Sequence, residues 1–264
     1  MQAFGVDQAL ASIREIGYDG AELCLMKGWP TEPAQLDQAA RRRIRQQPLP
    51  IVSMLENFSL LVSEADHRLV LDRIRIAATL GHDVAPHRMP ELQSVLGGKP
   101  AEWEQVKDKM AGRLADWARV ASENRLKIAI KAHIGSAADT PEKLIWLLDQ
   151  VKSKAIRGIY DYSHFQWMGL DLEQTLRQLI PHSSFVTVKD ANLDGGKSQF
   201  LLPGEGTVDY PKYFACLRAM RYRGWMLVEV SRQLQTLPGY DAIEAAKRSY
   251  RHMAAMLRSS GLRR

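Results

Sequence analysis

LKIAIKAHIGS, residues 126–136, alternates as a buried strand does: Ile128, Ile130 and Ala132 fall on one face, and Ala129, Lys131 and His133 on the other. A lysine near the end of such a run is either solvated at the strand's edge or paired inside a site, because an unpaired ammonium taken out of water is strongly destabilising. A helical pattern over 101–124 precedes this strand. Thr140-Pro141-Glu142 follows it, and reads as a helix start with threonine as N-cap and proline in the first turn. Helix, strand and helix at this spacing are the mark of parallel β-α units.

The same unit recurs in both directions. A helix over 7–16 ends at Gly17 and leads into the strand GAELCLM. A helix over 33–46 stops before Pro48 and Pro50, and IVSML follows as a strand. An amphipathic helix over 64–80 stops at Gly81, and VAPH, 84–87, reads as a weak strand. The stretch 88–100 carries two prolines and two glycines and takes no assignment. GIYDYSH, FVTVKD and WMLVEV are the later strands. They are separated by helices over 172–179 and 210–221, capped by Asp171 and Asp209, and a helix over 240–258 closes the chain.

Seven strands result, which predicts an α/β fold of the TIM type, a (β/α) barrel whose first strand is missing or reduced to the stub MQAFG. Such a barrel has two unpaired edges. The stub, a second copy of the chain in a homodimer, or a longer N-terminus would cover them. No Ser/Pro-rich linker divides the sequence, so one domain over 1–264 is expected.

Composition narrows the function classes. With 264 residues and 45% hydrophobic side chains the chain can bury one large core. No apolar run of membrane-spanning length occurs, and the N-terminus does not have the pattern of a secretory signal. A cytoplasmic protein with no membrane partner is the expectation, with Cys24 and Cys216 as buried thiols. The net charge of +6 would attract nucleic acid or phosphate, but the basic residues are dispersed apart from RRRIR at 41–45 and the terminal pair. No helix-turn-helix, finger or aromatic–basic pattern accompanies them, so no nucleic-acid partner is expected. There is no Gly-x-Gly-x-x-Gly after a strand, no phosphate-binding loop of the Walker type and no Gly-x-Ser-x-Gly elbow, so neither a nucleotide cofactor nor a serine nucleophile is predicted.

Polar groups gather at the ends of the later strands, where barrels of this type carry their chemistry. They are Lys131 and His133, Asp161 with Ser163 and His164, Thr187 with Lys189 and Asp190, and Glu229 with Ser231 and Arg232. Asp161 and Glu229 lie on apolar strand faces, where ionised carboxylates need a metal or a cationic partner. His164 and His133 read as substrate contacts or as satisfied structural histidines. Lys189 and Asp190 read as substrate contacts or as a structural pair. Glu56, after IVSML, is a further substrate-binding candidate, and His82 and His87 are weaker ones. PGEGTVDY, 203–210, places Gly204 and Gly206 around Glu205 ahead of a helix. This is a turn, or a weak site for a phosphate or sugar oxygen that Glu205 would disfavour.

The pieces IGYDGAELC (16–24), AATLG (77–81), YDYSHF (160–165), VKD (188–190), PGEGTVDY and YRGWMLVEVS (222–231), in that order, resemble the xylose isomerase-like TIM barrel superfamily, the sugar phosphate isomerase/epimerase group. The resemblance implies one divalent metal, manganese or magnesium, held by two glutamates, an aspartate and a histidine. The glutamates would move a proton between adjacent carbons of a ketose-like substrate. By position the aspartate matches Asp161, the last glutamate Glu229 and the substrate histidine His164. The first glutamate falls on Lys131 and the metal histidine on Thr187. Two of the four ligands are therefore replaced, and any metal on Asp161 and Glu229 would be weakly held or absent. The resulting expectation is an isomerase or epimerase acting on a sugar or polyol, with Glu229 and Lys131 as catalytic residues and Lys131 in the metal's place. The alternative is a non-catalytic carbohydrate-binding relative.

Overall fold

The computed structural model describes residues 4–192 and 199–262. They form two compact units: residues 1–139 with 143–157, and residues 140–142 with 158–264. The fold class is the expected one, an α/β, incomplete TIM-type arrangement of parallel strand–helix units. The described residues contain four parallel strands in the first unit and three in the second. The stub expected to stand for a first strand lies mostly outside the described residues, which begin at Phe4.

In the first unit, β1 (Ala21–Cys24), β2 (Ile51–Leu55), β3 (Glu91–Ser94) and β4 (Ile128–Lys131) pair in parallel in chain order. Helices α1 (Val6–Ile16), α2 (Gln38–Gln46), α3 (Glu64–Val84) and α4 (Trp103–Glu123) alternate with them. Each helix starts or stops on a local signal. Asp37 caps α2 through Ala40 N, Ser63 caps α3 through Asp66 N, and Gly17 closes α1 in the left-handed region. The core joins Leu23, Met54, Leu92, Ile128 and Ile130 of the strands to Ile74, Leu80, Leu114 and Trp117 of the helices. Burial of such side chains stabilises by about 1.5–3 kcal/mol each.

Three sequence expectations are corrected in this unit. VAPH is not a strand, because α3 runs through Gly81 to Val84 and the strand is Glu91–Ser94. Gly81 is a packing site rather than a stop: a Cβ there would lie 2.7 Å from Met89 Cε and 3.2 Å from Met54 Cε. The third correction is that the helix expected over 33–46 is broken, with a 3₁₀ turn at Pro33–Gln35 ahead of α2.

In the second unit, β5 (Ile156–Asp161) contributes Gly158–Asp161, which pairs in parallel with β6 (Ser183–Val188). A short antiparallel hairpin follows, β7 (Asp190–Asn192) with β8 (Gln199–Leu201). The last parallel strand, β9 (Met226–Val228), pairs with β6. Helices α6 (Tyr162–Trp167), α7 (Leu172–Leu179), α8 (Tyr210–Ala219), α9 (Arg232–Gln235) and α10 (Ala242–Ser260) complete the unit; α5 (Pro141–Val151) begins in it and continues in the first. Tyr160, Phe165, Tyr210, Tyr213 and Phe214 pack ring to ring at centroid distances of 5.6–6.3 Å. GIYDYSH is corrected here: the strand stops at Asp161, and His164 lies on α6.

Candidate active site

The second unit brings four of the sequence candidates together. Asp161 is the last residue of β5, Lys189 follows β6 directly, and Glu229 follows β9 directly. Parallel pairing sets Asp161 opposite Thr187 and Val188 opposite Val228, so the carboxyl ends of the three strands converge. Lys189 Nζ stands 2.7 Å from Asp161 Oδ2 and 2.7 Å from Glu229 Oε1. His164 Nε2, one turn into α6, is 3.3 Å from the same nitrogen and 3.4 Å from Asp161 Oδ2.

Burial grades this cluster. The side chains of Lys189 and Asp161 are 1% and 0% exposed, while that of Glu229 is 31% exposed. Asp161 is anchored twice, since Ser163 Oγ donates to its Oδ1 at 2.6 Å. Glu229 is the carboxylate of the cluster that solvent reaches. Phe200 of β8 covers the cluster, with its ring centroid 4.9 Å from Lys189 Nζ, 5.0 Å from His164 and 4.8 Å from Trp167. Sequence reasoning missed Phe200: a single aromatic in KSQFLLPGEG has no periodic partner to mark its direction.

Lys189 and Asp190 are neighbours with separate partners. Asp190 is fully buried and accepts backbone N–H bonds from Gly204 at 2.8 Å and Val208 at 2.9 Å. It thereby ties the segment 203–210 to the end of β6. Gln166 Nε2 donates to Thr207 Oγ1 at 2.8 Å and adds a second tie. Glu205, in the same segment, pairs with Arg248 of α10. Thr187 Oγ1 is buried and finds no hydrogen-bond partner among the described residues.

The remaining candidates lie in the first unit. Lys131 ends β4 and is buried, and His133 is half-buried with Nδ1 2.6 Å from Ile134 O. Glu56 is buried and paired with Arg73; burial raises its carboxyl above the ordinary value, and Arg73 pulls it the other way. His82 Nε2 is 3.1 Å from Asn124 O, and His87 is exposed. A polar group not found from the sequence joins these: Glu22 of β1 accepts from Ser53 Oγ of β2 and Gln93 Nε2 of β3. Glu22 and Cys24 alternate with buried Leu23, and that period was the available signal.

A divalent cation does not fit the cluster of Asp161, His164 and Glu229. The space between the two carboxylates holds the Lys189 ammonium, which repels a metal ion, and Thr187 offers a neutral hydroxyl where an imidazole would serve. Among the described residues no group of three histidine, cysteine, aspartate or glutamate side chains has the arrangement to hold a metal.

Parallel β-α units with charged side chains collected at the carboxyl ends of the strands define a protein of the TIM-barrel class. The family described as xylose isomerase-like TIM barrel matches residues 10–259, and the chain belongs to it. An inosose dehydratase of Geobacillus kaustophilus is 23% identical over 273 residues, spanning 91% of this chain and 85% of that protein. Among solved structures, the IOLI protein with a bound zinc atom superposes with a TM-score of 0.80 at 15% identity, covering 98% of this chain and 95% of that one. The 3-keto-D-glucoside 4-epimerase YcjR of E. coli superposes with a TM-score of 0.73 at 18% identity, covering 98% and 97%. At these identities the superpositions establish the fold.

Proposed function

We propose that the chain is an enzyme that moves a proton on the carbon next to a carbonyl in a keto-sugar or keto-polyol, with Glu229 as the acid/base. The observation that carries this reading is the graded cluster: a solvent-reached carboxylate held at 2.7 Å by a buried ammonium. A fixed carboxylate beside a buried positive charge is suited to taking a proton from carbon and returning it. Loss of that proton gives an enediolate. A proton delivered by water to the other face, with the first passing from Glu229 to solvent, gives an epimer; return from Glu229 to the neighbouring carbon gives an isomer; and departure of a hydroxyl from the next carbon as water, protonated by Glu229, gives a dehydrated product. The relatives named as inosose dehydratase and 3-keto-D-glucoside 4-epimerase support substrates of this class.

The sequence reading gave the cationic part to Lys131. The two 2.7 Å contacts support Lys189 for holding Glu229, as a positioning residue, since its own side chain is 1% exposed. Deuterium exchange from heavy water into inososes, 3-ketoglucosides and ketoses, followed by NMR, tests the reading without knowledge of the final product. Exchange that disappears in Glu229→Gln supports it. Tight binding of these sugars with no exchange in any of them would overturn it in favour of a carbohydrate-binding protein.

A further inference from the structure

We propose that the second unit carries a further binding site, in the cavity between the turn closed by Glu205 N on Leu202 O, the end of α9 and the start of α10, and that it takes a small organic cation, a primary ammonium on a hydrocarbon chain. The cavity offers about 330 Å³, a volume in the range of small-ligand sites. Its floor is an apolar cluster of Leu202, Leu234 and Ala245, with Tyr240 packed against it. Leu237 stands at its rim and is 47% exposed, the most exposed large apolar side chain among the described residues of the second unit. An apolar floor beside an exposed apolar rim gains by burial when a hydrocarbon chain enters. The lining shares no residue with the cluster of Asp161, His164, Lys189 and Glu229.

The charges set the class of ligand. The chain as a whole carries +6. The cavity is lined instead by three carboxylates, Glu205, Asp241 and Glu244, and one guanidinium, Arg248. Arg248 pairs with Glu205, and Lys247 pairs with Glu244 at 2.7 Å. Asp241 is the carboxylate left over. Its Oδ1 caps α10, accepting from Ile243 N at 2.8 Å and Glu244 N at 3.0 Å, and among the described residues no cation pairs with its Oδ2. One uncompensated negative charge beside an apolar floor suits a monocation with an apolar body. The Tyr240 ring adds a face that a cation can approach. Arg248 follows Asp241 by about 10 Å along the helix, and its charge closes that end against a second ammonium. The positive end of the α10 dipole works against the ligand and keeps the affinity modest.

This inference does not rest on the proton-transfer reading, because binding is measured without a substrate. The experiment is calorimetric titration of the full chain with hexylammonium at low ionic strength. Hexan-1-ol serves as the chain without the charge, and methylammonium as the charge without the chain. Wild type, Asp241→Asn and Leu237→Ser are compared; asparagine keeps the helix cap, and thermal melts report folding. Wild type is expected to bind hexylammonium with a Kd of about 1 mM, and each control at least ~10-fold more weakly. Asp241→Asn is expected to weaken hexylammonium at least ~5-fold and to leave hexan-1-ol unchanged. Leu237→Ser is expected to weaken both hexyl compounds by ~3-fold. Absence of saturable hexylammonium binding overturns the proposal. Equal binding of methylammonium overturns it in favour of an acidic surface alone, and equal binding of hexan-1-ol in favour of an apolar hollow alone. A folded Asp241→Asn that binds hexylammonium as wild type does also overturns it, since the ion then sits elsewhere. Should Asp241→Asn fail to fold, Leu237→Ser decides: weakened hexylammonium binding upholds the site, and unchanged binding overturns it.

Discussion

Asp190 and Gly206 pack so closely that a Cβ on the glycine would lie 2.5 Å from Asp190 Oδ1, and 2.5 Å from Ala191 O as well. The aspartate can accept from Gly204 N and Val208 N because residue 206 has no side chain to hold its carboxylate away. Gly204, at φ 88, makes the turn that brings the chain there. Gly206→Ala is therefore expected to destabilise by about 1–3 kcal/mol through overpacking. Asp190→Ala, which strands the backbone N–H groups of Gly204 and Val208 along with the weaker donor Ala191 N, is expected to cost about 3 kcal/mol. Denaturant unfolding of both variants checks this. Losses below half of these values would mean the segment 203–210 is held by other contacts.

Glu229→Gln is expected to lower proton exchange by ~10²–10⁴-fold, the usual contribution of one acid/base group. Its melting temperature should stay near wild type, since the side chain is 31% exposed and Lys189 keeps Asp161 as a buried partner. Lys131→Met is the companion variant. A rate within a factor of two of wild type, measured on the same substrate, would remove Lys131 from the catalytic residues.

Lys189→Met leaves Asp161 buried without that ammonium and is expected to destabilise by about 3–5 kcal/mol. Adding Asp161→Asn should recover most of the loss, because the uncompensated charge is then gone. Thermal melts of the single and double variants read this directly. A double variant no more stable than the single one would show that packing, not charge, sets the cost.

Glu56 gives a pH dependence whose sign follows from its burial. Desolvation raises its carboxyl above the ordinary value, and Arg73 offsets this only in part. The folded chain thus keeps this proton to higher pH than the unfolded chain does. The stability it contributes is fully present below the ordinary carboxylate value and is lost as pH rises through the raised one. Glu56→Gln is expected to equal or exceed wild type in melting temperature at neutral pH, with the advantage vanishing in acid. The reverse order at neutral pH would show that the Arg73 pair outweighs desolvation.

Burial pushes the Cys24 thiol up to about 12; the Met26 backbone N–H acts against this, and Glu22 and Glu56 reinforce it. At about pH 8 its thiolate fraction is then ~10³-fold below that of an ordinary cysteine. Alkylation by iodoacetamide, followed by mass spectrometry, should be slower at Cys24 by a comparable factor than at a free thiol. Labelling at the ordinary rate would mean the site opens in solution.

Much of the fold is legible in local sequence. The caps at Asp171 and Asp209, the alternation in 126–131 and the order of strands and helices follow from bonds and steric preferences that span only a few residues. Where the sequence reading failed, a longer-range contact had taken over. Gly81 looks like a helix stop, but Met54 and Met89 need its bare face, so α3 continues to Val84. Glu91–Ser94 carries one strongly apolar residue, Leu92, and becomes a strand because β2 and β4 pair with it on either side. YDYSHF looks like a continuing strand, and the N-cap of α6, Asp161, makes no side-chain capping bond because its carboxylate is engaged by Ser163 and Lys189.

The candidate site divides in the same way. Sequence alone determined that Asp161 and Glu229 stand at strand ends in a TIM-type fold of this family and that they need a cation. For that cation the sequence reading chose Lys131, although Lys189 shares the alternation of an inward residue in FVTVKD. Lys189 lies 28 residues from Asp161 and 40 from Glu229, and only the pairing of β5, β6 and β9 brings the three within 2.7 Å contacts. Faces and caps are set by neighbours in the chain. The partner of a buried charge is set by strand register, which is a property of the assembled sheet.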